Sequence, residues 1–189
     1  MVVSERALAA RNARKEPPPM VLDWSLWLPI MRAYEERRAA YFATPATNLI
    51  LALDVGLREI LEEGIEARVA CHERAGRALR AAWSAMELAP VPARGDLQAN
   101  TLSALWYPVG AGPSLVARIA ERGVAVAGGL HPEIRDRYFR VGHMGYAVTR
   151  PDMLVQTVEA IEAGLLGEGV RVESGAGGRA VRSALGREA

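Results

Sequence analysis

Four apolar stripes at helical spacing organise the chain. The most regular is the last, where Leu154, Val158, Ile161 and Leu165 recur at four, three and four residues. Thr149 is the expected N-cap there, with Asp152 completing a capping box and Pro151 inside the first turn. Upstream, Leu49, Leu53, Leu57, Ile60 and Leu61 form one stripe that stops at Glu62-Glu63-Gly64, with Gly64 as a natural C-cap. Ile65, Val69, His72, Ala75, Leu79, Trp83 and Met86 form the next, with arginines 68, 74, 77 and 80 on its other faces. A short helix over Pro113–Arg122 buries Leu115 and Ile119 and stops at Gly123. Ser4 caps a further helix that runs to about Lys15, and Ile30–Ala40 reads as a charged helical segment with a solvated face.

Between these helices lie three strand-like runs. They are Thr101–Tyr107, Val124–Ala127 and the run from Arg137 to Gly145, which glycines interrupt at 142 and 145. Strand, helix, strand, strand, helix predicts a small, mostly antiparallel sheet covered by helices on one face. Pro17-Pro18-Pro19 is a stiff connector, and Pro90, Pro92 and Gly95 mark a second. The Gly- and Arg-rich stretch after Gly167 has little to bury and is expected to be a disordered tail. These breaks divide the chain at 1–40, 41–88, 89–166 and 167–189. Met1-Val2-Val3 reads as the end of a strand, an unusual place for a core to begin.

Composition narrows the possibilities. A chain of 189 residues, half of them hydrophobic, can fill one good core or two small ones. A net charge of +1 gives no reason to expect nucleic acid or an anionic membrane, and no apolar run is long enough to span a bilayer. The lone Cys71 excludes an internal disulfide and reads as a small buried hydrophobe. His72, His131 and His143 are too scattered for a metal site, and His72 is expected to be a satisfied, partly buried histidine. Trp24 and Trp27 are expected to pack. No secretory h-region is present, so an intracellular protein is expected, with peroxisome, mitochondrion and cytoplasm all compatible. Lys15 is the only lysine.

Two places carry candidate chemistry. Arg140 sits in a short apolar strand, where an unpaired guanidinium is costly to bury. It therefore either pairs with a local acid, Asp136 or Glu133, or holds a carboxylate ligand with its planar fork. Tyr41-Phe42-Ala43-Thr44-Pro45 runs into a helix N-terminus, which favours anions. There Thr44 or Thr47 is a simple cap, or Tyr41 and Thr44 donate to a phosphate.

The run Phe139-Arg140-Val141-Gly142-His143-Met144-Gly145 before a Thr-led helix resembles the C-terminal domain of class V aminotransferases. The likeness is to their alanine–glyoxylate (serine–pyruvate) group. Tyr41-x-x-Thr44-Pro45 and Ser4-Glu5-Arg6-Ala7 match that family in the same order. The resemblance implies an α/β fold, the C-terminal portion of a fold-type I pyridoxal-phosphate transferase. Long interface helices would precede a small α+β domain. It gives Arg140 the substrate's α-carboxylate, and gives Tyr41 and Thr44 the phosphate of a neighbouring subunit's cofactor in a homodimer. Amino-acid and keto-acid substrates follow, alanine or serine as donor and glyoxylate or pyruvate as acceptor. The family's Schiff-base lysine precedes Ser4-Glu5-Arg6-Ala7, so Lys15 is no substitute and the chain carries no catalytic residue of its own. The rival reading is a non-catalytic module that binds a small carboxylate or another subunit.

Overall fold

A computed structural model describes residues 3–186; Met1 and Val2 of the expected strand end, and Arg187 to Ala189, lie outside them. The chain falls into two compact units, residues 1–57 and 58–189.

The first unit is helical. In α1 (Glu5–Asn12), Ser4 Oγ accepts the Ala7 N–H, as its place before the helix predicts. After the proline run, α2 (Trp24–Glu35) starts earlier than the charged segment suggested, because Asp23 accepts the Ser25 N–H and caps it. Trp24, Trp27, Leu28 and Met31 line an apolar pocket with Leu8 and Val21, so the tryptophans pack. Phe42 meets Trp27 edge-on, with ring centroids 5.1 Å apart. α3 (Thr47–Glu63) begins here and crosses into the second unit.

In the second unit, Gly64 adopts φ +89° between α3 and α4 (Ile65–Ala85), a conformation that disfavours any side chain. α5 is Ser114–Ala120, α6 is Pro151–Gly167 and α7 is Ala176–Gly186. The sheet is antiparallel with order β1-β3-β2: β1 is Leu102–Trp106, β2 is Ala127–Gly128 and β3 is Tyr138–Gly142. Leu105, Phe139 and Val141 turn one face of the sheet into a core shared with Leu79, Trp83, Leu115, Ile119, Val158, Ile161, Leu165 and Val181. That arrangement is the small helix-covered antiparallel sheet the sequence predicts.

Three expectations are corrected. The strand expected at Val124–Ala127 is only the two-residue β2, since pairing starts at Ala127 opposite Arg140. Thr149 is not the cap of α6. It ends a 3₁₀ turn, where its Oγ1 donates to Tyr146 O, while the cap position falls on Arg150, whose guanidinium grips Asp152 with two hydrogen bonds. Asp152 is thereby drawn away from a capping box.

The tail is the largest correction. Residues 176–186 form α7, which packs on α4 and α6 with Val181 fully buried. Its glycines are the reason. A Cβ at Gly177 would lie 2.7 Å from Met86 Sδ and 2.8 Å from Val158 Cγ1, so the absent side chain lets the helices approach. The buried Glu162 carboxylate accepts the N–H groups of Gly175 and Gly177 and satisfies the start of α7.

Candidate functional site

Arg140 occupies the middle of the central strand, between Ala104 of β1 and Ala127 of β2. Side chains alternate along a strand, so Phe139 and Val141 enter the core and Tyr138 and Arg140 share the opposite face. Small alanines on both sides leave the half-buried arginine room on that face. Its Nε donates to Gly128 O at 2.8 Å. Among the described residues no acid forms an ion pair with it. Asp136 lies beside Arg135 at 3.9 Å, and the contact recorded for Glu133 is its backbone N–H donating to His131 Nδ1. Neither local acid is therefore the partner of Arg140. With Nε committed to the backbone, the two terminal nitrogens are the pair that would take a carboxylate end-on.

Tyr41 and Thr44 come together in the first unit. Their hydroxyl oxygens are 2.8 Å apart, with Tyr41 72% exposed. An open depression lined by Pro45 to Leu49 sits at the start of α3. Thr47 Oγ1 donates back to Pro45 O, so Thr47 belongs to the turn and leaves Tyr41 and Thr44 as the outward pair. Two hydroxyls beside a helix N-terminus are a donor set that suits the phosphate of a pyridoxal cofactor. Covalent attachment is another matter, because Lys15, the single lysine, stands exposed in the bend after α1.

No local pattern along the chain announces the buried polar cluster behind the sheet. His143 is 1% exposed, with Nε2 2.9 Å from Ser103 Oγ and Nδ1 3.1 Å from Asn100 O. A carbonyl only accepts, so Nδ1 carries the proton and Nε2 accepts the Ser103 hydroxyl. Trp83 Nε1 donates to the same Ser103 oxygen at 2.9 Å, and Arg80 ties Asn100 Oδ1 at 3.0 Å. Burial pushes the His143 pKa down to about 4; the Arg80 charge adds to this and the Asn100 hydrogen bond opposes it. The cluster holds β1, β3 and α4 together. His72, by contrast, is the satisfied histidine expected, its Nδ1 2.8 Å from Arg68 O. Cys71 is buried and its thiol donates to Val148 O. Tyr138 was also missed, although strand alternation alone places it on the face of Arg140.

No protein-family model matches the chain. Alanine–glyoxylate aminotransferase 1 of Saccharomyces cerevisiae is 39% identical over 121 residues, which is 63% of this chain and 31% of that protein. An uncharacterised aminotransferase of Methanocaldococcus jannaschii is 33% identical over 178 residues, 93% of this chain and 44% of the relative. The crystal structure of pyridoxamine–pyruvate aminotransferase from Mesorhizobium loti superposes with a TM-score of 0.85 at 28% identity. It covers 99% of this chain and 47% of its own. The chain thus spans less than half the length of these relatives. By sequence homology and by fold, the chain is related to the class V aminotransferases of the alanine–glyoxylate type over that part of their length.

Proposed function

We propose that this chain is the substrate-carboxylate and cofactor-phosphate part of a pyridoxal-phosphate aminotransferase. It would move an amino group from alanine or serine to glyoxylate or pyruvate. The observation that carries the reading is Arg140, a half-buried arginine on the sheet face away from the core whose fork meets no acid among the described residues. A bound amino acid or keto acid would place its α-carboxylate against the two terminal nitrogens, and the Gly128 carbonyl would stop the guanidinium from turning. Tyr41 and Thr44 would hold the phosphate, acting across a homodimer in which a second copy covers the apolar face of α3. Pyridoxal phosphate, when bound, supplies the electron sink for amino transfer. The lysine that holds it would come from sequence other than these 189 residues, since Lys15 is the chain's only one.

The test combines the chain with a polypeptide that carries the remaining portion of a class V aminotransferase. Transfer from L-alanine to glyoxylate is expected from the combination and not from the 189-residue chain alone. Arg140→Lys keeps the charge and loses the two-pronged geometry, so the KM for the amino donor should rise by roughly 5- to 150-fold, equivalent to about 1–3 kcal/mol. An unchanged KM would remove Arg140 from the site. Transfer by the chain alone would overturn the assignment of the lysine.

A further inference from the structure

Among the described residues, Arg140 is fixed to the fold by one side-chain bond, from Nε to the carbonyl of Gly128. That carbonyl closes β2, which pairs with β3 for only two residues. So short a ladder fixes the oxygen poorly by itself, and its place depends on the chain that follows. Tyr138 holds that chain. Its Oη accepts the N–H of Leu130 at 2.8 Å and of His131 at 3.3 Å. Gly129, between them and Gly128, lies so close that any Cβ would collide with the Tyr138 ring and the Arg135 backbone. On its other side the ring meets Trp106 edge-on, with centroids 6.1 Å apart and planes at 74°. The tyrosine is buried, and its oxygen bridges the loop that starts where Arg140 is anchored.

We propose that the Tyr138 hydroxyl is a positioning group for Arg140: through Leu130 and His131 it fixes the Gly128 carbonyl, and so aims the guanidinium fork. This rests on the reading of Arg140 as a carboxylate anchor. Two further observations agree with it. Tyr138 stands two residues from Arg140 on the same face of the strand. The hydrogen bonds from Leu130 and His131, aided by the nearby Arg140 charge, hold the hydroxyl below its ordinary range despite burial. A phenylalanine would keep the ring and its contact with Trp106, but would release both amides and with them the carbonyl.

The test uses the 189-residue chain labelled with ¹⁵N. The Arg140 Nε–H resonance is assigned by its loss in Arg140→Lys and followed during titration with pyruvate. In the unaltered chain it should exchange slowly with water and shift as pyruvate binds, and the Leu130 and His131 amides should be protected. In Tyr138→Phe the Nε–H should exchange faster, and the pyruvate Kd should rise roughly five- to tenfold, as for the loss of one aligned hydrogen bond. Gly129→Ala keeps the hydroxyl but displaces the loop, and should loosen the same Nε–H. Free exchange of Leu130 and His131 in the unaltered chain would overturn the proposal. So would Tyr138→Phe or Gly129→Ala with Nε–H exchange and Kd both unchanged. If pyruvate never shifts the Nε–H of the unaltered chain, the carboxylate reading falls by itself, and the exchange rates in the two variants still decide the positioning role.

Discussion

Helices α3 and α4 follow one another across a single glycine, and both carry an apolar stripe at helical spacing. Their fates differ. Over its 17 residues α3 has no buried residue, and Leu49, Leu53 and Leu61 are 72%, 60% and 79% exposed. Over its 21 residues α4 buries Cys71, Ala75, Ala78, Leu79, Ala82 and Trp83. The residue types explain part of this. The buried face of α4 is built of alanine and glycine around two large side chains, which lets α7 lie close against it. The face of α3 is leucine, isoleucine and valine, large groups with no neighbour among the described residues to receive them. Periodicity reports that a face is apolar. It does not report whether the surface that covers it lies in the same chain.

The sharpest cut through this comparison is a truncation on the buried face of α4. Leu79 is fully buried, so Leu79→Ala should cost about 2–5 kcal/mol, from lost burial and the cavity left behind. Denaturant unfolding of the second unit, followed by near-ultraviolet circular dichroism, measures it. A loss under about 1 kcal/mol would mean that the α4 face is no better packed than that of α3, and the contrast would collapse.

A second cut uses pH, on the buried side only. His143 is native as the neutral tautomer, with its pKa lowered to about 4 from 6.5. Below pH 6.5 the unfolded chain takes up a proton that the folded chain refuses. This source of stability is therefore complete above about pH 6.5, declines as the pH falls, and is exhausted below about pH 4. The shift corresponds to at most about 3 kcal/mol, of which about 2 should be gone by pH 5. His143→Gln can still accept from Ser103 and donate to Asn100 but cannot titrate, so its stability should fall less between pH 7 and pH 5. Equal declines in both proteins would refute the buried neutral histidine.

What the sequence made legible follows the same division. Local signals worked where a residue acts on its own backbone: Ser4 caps α1, Gly64 separates α3 from α4, and the alternation Phe139-Arg140-Val141 puts arginine on the face away from the core. They failed where distant residues decide. Nothing near Gly177 announces that Met86 and Val158 will close on it, so a Gly-rich helix read as a tail. Asp152 three residues after Thr149 looked like a capping box until Arg150 claimed the carboxylate. The candidate site divides likewise. Arg140 is visible as an arginine in an apolar strand, and only the fold shows that among the described residues neither Asp136 nor Glu133 pairs with it. Tyr41 and Thr44 were visible only as a pair of types, and their hydroxyl contact shows that the loop brings them together.

The mildest substitution probes the exposed side. Leu53→Ser removes an apolar group from a surface already in water, so the stability of the chain by itself should change by no more than about 0.5 kcal/mol. If a second copy covers α3, association is where the change should register. Leu53 lies within the run from Leu49 to Leu61, and a hydroxyl there would be buried without a partner in the associated state. Sedimentation at several concentrations should then show the unaltered chain self-associating and Leu53→Ser dissociating at concentrations roughly tenfold higher, about 1.4 kcal/mol. A variant that associates as tightly as the unaltered chain would place the interface elsewhere, and a variant losing 2 kcal/mol or more of its own stability would mean that α3 is covered from within. Either result would end the comparison with α4.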